Sequence, residues 1–532
     1  MRRLRFPQPK FRRRRSCSPV LAMAVMYLAA CAPPSGAPAP APEPAAAPGA
    51  TLPPIPRVEG PLAIRVTYPS PGQQLTARDS NFIFGAVGHG EARLSIDGRP
   101  VEVRPNGAWL AFIPVPDDGR YDLVATLGAD TVRHTLPVKL PAPPGARRAA
   151  APTVSAGIDP GPVVVGAPEG ADSGDVRVPA RPLPGGTYRW FLVPGTVVRR
   201  AGVQNGFARL ELAPGLDAWV PEAEVHPLPA DTALPPRVVG DLRVRSAVGH
   251  ADLVMPMASP PPYLVEEEGS RLVVTLYGTT ANTDRINYAP DDPLVRNVTW
   301  KQLPGGLARY EVELAHPALG YLALWRDGAF VLRVRRRPPI DDAAPLRGLR
   351  IAVDAGHPPV GATGPTGLYE AEATLAVSRI LREELERRGA TVIMTRTTMD
   401  PVALVERPIM ARRADAHALV SIHLNAFPDG VNPFLNNGTS TYYFHPHSAP
   451  LARAVQDGMV RHMGLRDLGT FYGNLALVRT TWMPSALAEG AFLMIPEQEA
   501  AMRTPEYQRA YALGVADGLE EFFRALGGAE RR

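Results

Sequence analysis

The sequence predicts a multidomain chain: three N-terminal all-β modules, then a C-terminal α/β domain with a mostly parallel sheet and helices on both faces. Three observations predict it. Proline and glycine are abundant, at 61 and 48 of 532 residues, and they cluster in breaks between patterned stretches. Between those breaks, up to residue 340, apolar residues alternate. Asp97-Gly98, Asn106-Gly107, Asp118-Gly119, Asn205-Gly206 and Asp327-Gly328 mark the turns. From Leu349 onward, short apolar runs alternate with helical patterns, as a parallel sheet requires.

The elements follow in order. Residues 1–30 hold eight basic residues and no acid, ahead of the apolar run PVLAMAVMYLAA, and read as a secretion signal. The run is too short for a stable bilayer span. It ends in Leu-Ala-Ala-Cys31, which resembles the lipobox of bacterial lipoproteins and implies lipid attachment at Cys31. Cys17, the other cysteine, lies within the signal, so no disulfide is expected in the mature chain. Residues 31–58 are a Pro/Ala-rich tether. Residues 59–140 resemble an immunoglobulin-like sandwich. Residues 141–174 read as a second linker, 175–230 resemble an SH3-like barrel, and 236–340 form a third β-rich block. Without the eight basic residues of 1–30, the chain carries 49 basic against 52 acidic residues, a net charge of −3. That balance gives no footprint for nucleic acid.

In 348–527, LRIAVDAG is a buried strand and EATLAVSRILREELERRGA a helix stopped by Gly389. TVIMTR, ALVSIHLN and TSTYYFHP read as strands, and NLALVRT continues the alternation. SAPLARAVQDGMVRHM is helical, and a last helix starts at Thr504-Pro505. Sites in such sheets form where strands end. His357 follows IAVDA, Glu370 opens the next helix, His423 ends ALVSIH, and Glu489 sits in MPSALAEGAF. Two imidazoles and one carboxylate are the ligand set of many catalytic zinc sites, with water in the open position. A further carboxylate would move the proton of that water.

VDAGH, GPTGLYEAEATLAV, SIHLNA and MPSALAEGAF, in that order, resemble the catalytic domain of zinc-dependent N-acetylmuramoyl-L-alanine amidases. The resemblance implies that His357, Glu370 and His423 bind Zn2+ and that Glu489 is the catalytic acid–base. It implies hydrolysis of the amide between muramic acid and L-alanine in peptidoglycan. Arg479 and Asn425 are candidate substrate contacts. The 236–340 block then resembles the wall-binding module found ahead of envelope amidases. The expected setting is the cell envelope, with a lipid anchor in a membrane, the periplasmic face of the outer membrane in a diderm, and envelope proteins as possible partners. The sequence departs from the family at His357-Pro358-Pro359, where HGG is usual, and at Met494-Ile495, where Ser-Asn is usual. No helical insertion that would plug the site is expected between His423 and Asn474.

Competing readings sit beside these. His417, His445, His447 and His462 read as structural histidines, Asp354 as a supporting residue, Glu372 as facing elsewhere on its helix, and Arg333–Arg337 as a solvated strand end. A zinc peptidase cutting within the stem peptide needs the same site. A non-catalytic wall-binding lipoprotein would need only the fold.

Overall fold

A computed structural model describes residues 52–141, 160–166 and 178–529. Cys31 lies outside them. Residues 65–137 build two antiparallel sheets around one core that contains Ile83, Trp109, Tyr121 and Leu123. One sheet joins Arg65–Tyr68, Ser80–Ala86 and Ala108–Pro114; the other has four strands from Arg93 to Pro137. The Asp97-Gly98 turn has both residues at positive φ, +50° and +73°, as a two-residue hairpin requires.

The second module is a five-stranded antiparallel sheet in which Gly161–Val165 is an interior strand, between Thr196–Gln204 and Val225–Pro227. This corrects the expected 141–174 linker. The run PVVV is β-branched and buries Val163 and Val165, although the residues around it are the proline and glycine of a linker. The third module packs a five-stranded sheet on a four-stranded one.

The C-terminal sheet contains β1 (Arg350–Ala355), β2 (Thr391–Met394), β3 (Ala418–Asn425), β4 (Thr439–Tyr443), β5 (Asp467–Tyr472) and β6 (Ser485–Phe492). Its order is β2-β1-β3-β6-β4-β5. The first four run parallel, and β4 and β5 run opposite to them. The sequence expectation put a strand in NLALVRT. The strand is instead Asp467–Tyr472, and Ala476–Val478 is a 3-10 turn that buries Leu477 and Val478. Helices α1 (Glu370–Arg387), α3 (Ala449–Met463) and α5 (Pro505–Ala529), the last preceded by the short α4 (Pro496–Met502), cover one face, over Ile351, Val353, Val420, Ile422, Ala486 and Ala488. In α1 the core contacts are Ala373, Val377, Leu381 and Leu385, a regular four-residue spacing. Helices α3 and α5 cross so closely that a Cβ on Gly458 would sit 2.1 Å from the Gly514 carbonyl oxygen.

The other face amends the expectation of helices on both sides. It is covered by the short helix α2 (Glu406–Arg413) together with strands Tyr321–Arg326 and Ala329–Arg335 of the third module. Leu322, Leu324, Ala329 and Val331 pack with Ala352 and Leu419 of the C-terminal sheet, while Tyr321, Ala323, Phe330 and Leu332 face the module's own core. A strand apolar on both sides is a strand buried on both sides. The arginine run is likewise not solvated. Arg335 is 3% exposed, stacks on Trp482 at 4.8 Å and pairs with Asp415 at 2.9 Å; Arg333 makes two 2.8 Å bonds to Asp252.

The N-terminal sandwich docks on the rim of the C-terminal sheet. Met494 and Ile495 join Phe82, Phe84, Leu110 and Phe492 in one apolar cluster. Asp429 accepts from Thr76 N at 2.7 Å, Thr76 Oγ1 at 3.1 Å, Asn81 Nδ2 at 3.1 Å and the Tyr68 hydroxyl. Asp429→Ala strands several donors at this interface. It is expected to cost about 1–3 kcal/mol of docking, seen as faster cleavage between the sandwich and the rest in limited proteolysis of the full chain. Unchanged cleavage would remove Asp429 from that role.

Candidate metal centre

The loop after β1 carries His357 at φ +60°, a conformation that costs a non-glycine residue about 1–3 kcal/mol. Two buried arginines hold it there. Arg396 donates to the carbonyls of Ala355 (2.8 Å) and Gly356 (2.9 Å). Arg407 donates to those of Ala355 (2.9 Å), His357 (3.1 Å) and Pro358 (3.2 Å). Four consecutive carbonyls are thus tied by two guanidinium groups. Arg407 also pairs at 3.0 Å with Asp354, which is fully buried and accepts from Thr395 Oγ1 and Ser421 Oγ. Burial, then the charge of Arg407, lowers Arg396 to about 10, still a cation at neutral pH.

Glu370 opens α1 and reaches back over the strand ends. Its Oε2 accepts from Ala362 N at 2.7 Å and its Oε1 from Leu424 N at 3.0 Å. Oε1 also stands 3.3 Å from His357 Nε2 and 3.1 Å from His423 Nδ1. Burial opposes its ionisation, but the two imidazoles outweigh that and bring it to about 2. The 364–368 loop ahead of it hangs on Glu499, wholly buried, which accepts from Thr366 N at 2.9 Å and Leu368 N at 3.0 Å. The three candidate ligand atoms of His357, Glu370 and His423 lie within 4.8 Å of one another. A Cβ on Gly356 would meet the His423 ring at 2.5 Å, so only glycine lets the strand end pass beneath that imidazole.

Glu489 is the register partner of His423 across β3–β6, and Ser440 on β4 is its partner on the other side. Directly paired residues share a sheet face. One oxygen of Glu489, Oε2, is buried with no hydrogen-bond partner. Burial, then the charge of Glu370, raises its carboxyl well above the usual range. Tyr511 fixes the strand pair from α5, donating to the carbonyls of Ala488 (2.8 Å) and His423 (3.1 Å).

The remaining candidates divide. Asn425 lies two residues beyond His423, its side chain beside the Tyr442 hydroxyl. Arg479 is placed elsewhere. It precedes β6, at the far end of that strand from Glu489, and its guanidinium stacks on Tyr188 at 4.5 Å. His417, His445, His447 and His462 lie outside the centre: His417 accepts from Arg350 N, His445 bonds the Arg479 carbonyl, His447 pairs with Glu267, and His462 with Asp517. The chain after His423 runs to the sandwich, where Gly430 N meets Asn81 at 2.9 Å. His357 and His423 keep 23% and 15% of their side chains exposed. Sequence reasoning missed Arg396, Arg407 and Glu499. Each lies among polar or charged neighbours in the sequence, so no local pattern singles it out.

The donor set fits a cation: two imidazoles and a carboxylate converge, with an orphaned carboxylate oxygen on the neighbouring strand. Residues 351–521 match the family described as N-acetylmuramoyl-L-alanine amidase. The chain is 31% identical over 207 residues to the uncharacterised protein YqiI of Bacillus subtilis, covering 38% of this chain and 98% of that one. It is 30% identical over 186 residues to the N-acetylmuramoyl-L-alanine amidase LytC of the same species, across 34% of this chain and 36% of that protein's length. Among solved structures, the catalytic domain of CwlV from Bacillus (Paenibacillus) polymyxa var. colistinus is 31% identical, covering 33% of this chain and 97% of that one, with a TM-score of 0.31.

Proposed function

We propose that this chain, which belongs to the N-acetylmuramoyl-L-alanine amidase family, hydrolyses the amide between N-acetylmuramic acid and L-alanine in peptidoglycan at the His357–Glu370–His423 centre. The observation that carries the reading is the convergence of those three ligand atoms within 4.8 Å, with Glu489 in register beside His423. His357, Glu370 and His423 would hold Zn2+. The ion, when bound, supplies a water acidic enough to attack at neutral pH and polarises the scissile carbonyl. Glu489 accepts the proton of the attacking water and returns it to the leaving amine of L-alanine. Its buried, unpartnered Oε2 leaves that carboxylate uncommitted to any structural bond. Asn425 orients the substrate or the Tyr442 hydroxyl beside it.

The same reading makes the chain a lipoprotein tethered through Cys31, working in the cell envelope with the β modules holding it on the wall or on partner proteins. Among the described residues no helix is long and apolar enough to cross a membrane. The test uses the full chain on purified peptidoglycan, with and without chelator, and identifies fragments by mass. Free stem peptides with an L-alanine N-terminus, and loss of release on chelation, are expected. Disaccharides still joined to peptide, or peptides cut within the stem, would overturn the proposal.

A further inference from the structure

The second module, the third module and the C-terminal domain enclose a cavity of about 1150 Å³, and none of His357, Glu370, His423 or Glu489 lines it. Its aromatic side chains touch in series across the module boundary. Tyr188 meets Phe191 at 6.2 Å, Phe191 meets Phe444 at 6.5 Å, and Phe444 stacks on Tyr472 at 5.2 Å between ring centroids. Tyr472, at the open end, is 63% exposed. A connected aromatic strip left open to water marks a recognition surface more than a core.

The charge at one end is uncompensated. The guanidinium carbons of Arg181 and Arg479 stand 4.4 and 4.5 Å from the centroid of the same Tyr188 ring. Neither arginine has a carboxylate partner among the described residues. Arg479 is satisfied only by the Asn474 carbonyl and side chain, at 3.0 and 3.1 Å, and Arg181 Nη1 is buried with no hydrogen-bond partner. Of the other charges on the wall, Arg189 pairs with Glu266 at 3.0 Å and Glu267 accepts from His447 N and Nδ1 at 2.8 Å each, while Glu406, Arg412 and Arg453 complete the charged lining. Two half-buried cations gathered on one ring repel each other unless an anion joins them.

We infer that this cavity is a second, non-catalytic binding site for a carboxylate-bearing glycan strand. The sugar faces lie along Tyr188, Phe191, Phe444 and Tyr472, and the carboxylates of the attached peptide are received by Arg479 on the cavity wall, with Arg181, beside the same Tyr188 ring but outside the lining, adding its positive charge. The inference rests on the reading of peptidoglycan as substrate and adds where the polymer is held away from the reacting bond. Because Arg479 and Phe444 belong to the C-terminal domain, the site exists only when the modules are assembled. Holding the strand there raises the concentration of further scissile bonds near the metal centre without a new catalytic contact.

The test measures binding, not turnover, on the full chain carrying Glu489→Gln in the presence of chelator, so it stands or falls separately from hydrolysis. Three soluble probes are compared: uncross-linked glycan strands with stem peptides, strands stripped of peptide, and free stem peptide. Peptide-bearing strands are expected to bind tightest and free peptide weakest. Tyr472→Ala, a change at an exposed position that leaves the fold intact, should weaken both glycan probes about tenfold. Arg479→Gln should reduce the peptide-bearing strand to the level of the stripped one, and Arg479→Lys should restore part of the difference. Binding unaffected by Tyr472→Ala and Arg479→Gln overturns the inference. So does tightest binding by the free peptide, which would make the cavity a peptide site.

Discussion

Glu489→Gln is expected to lower peptide release from peptidoglycan by about 10²–10⁴-fold, the usual contribution of a positioned acid–base group, while one equivalent of zinc stays bound. The two halves of that expectation come from different features. Glu489 is not among the three converging ligands, so its loss leaves the donor set of His357, Glu370 and His423 whole. Its Oε2 makes no structural hydrogen bond, so an amide in its place breaks nothing in the fold. Glutamine keeps the shape and loses only the ability to take up a proton. Metal content by emission spectrometry and release rates on the same preparation check both halves. Zinc lost together with activity would make Glu489 a ligand. Full activity in the variant would move the acid–base role to another group.

The contrast with Arg479 shows which parts of the site could be read from sequence. Candidate ligands near strand ends are legible because the sheet brings successive strand ends to one edge, whatever lies between them in the chain. Position along a strand is as decisive. Arg479 lies before β6 begins and Glu489 three residues from its far end, so the strand between them carries the two to different places. The Met494-Ile495 departure looks like lost polarity near the catalytic edge when read alone. In the fold these two side chains are the landing surface of the N-terminal sandwich, with Phe82 and Phe84. The arginine run misleads for a related reason. A charge pattern shows that arginines are present, not that Trp482 and Asp415 wait for Arg335 from another domain. Module-to-module contacts leave no local period, so the covering of the second sheet face by strands could not be foreseen from the chain.

The supporting shell is where the largest structural effect is expected. Arg407→Met should cost about 3–5 kcal/mol of stability, the range for breaking a buried ion pair from one side. It should also weaken zinc about 10–100-fold, as loss of a ligand's outer partner does. Arg407 is 3% exposed and its partner Asp354 fully buried, so the carboxylate would keep its charge with only two hydroxyls, of Thr395 and Ser421, bonded to it and Arg396 as its remaining nearby cation. The carbonyls of His357 and Pro358 lose their common donor at the same time. His357 sits at φ +60° because its loop is held from behind. Once released, that backbone relaxes toward ordinary φ and carries the imidazole away from Glu370. Arg407→Lys separates the two causes. An ammonium can neutralise Asp354 but has no fork to span Asp354 and three carbonyls at once. It should therefore recover more of the stability, measured by chemical denaturation, than of the zinc affinity, measured by competition with a chelator. Equal recovery of both would mean that charge balance alone, and not the guanidinium's shape, keeps His357 in place.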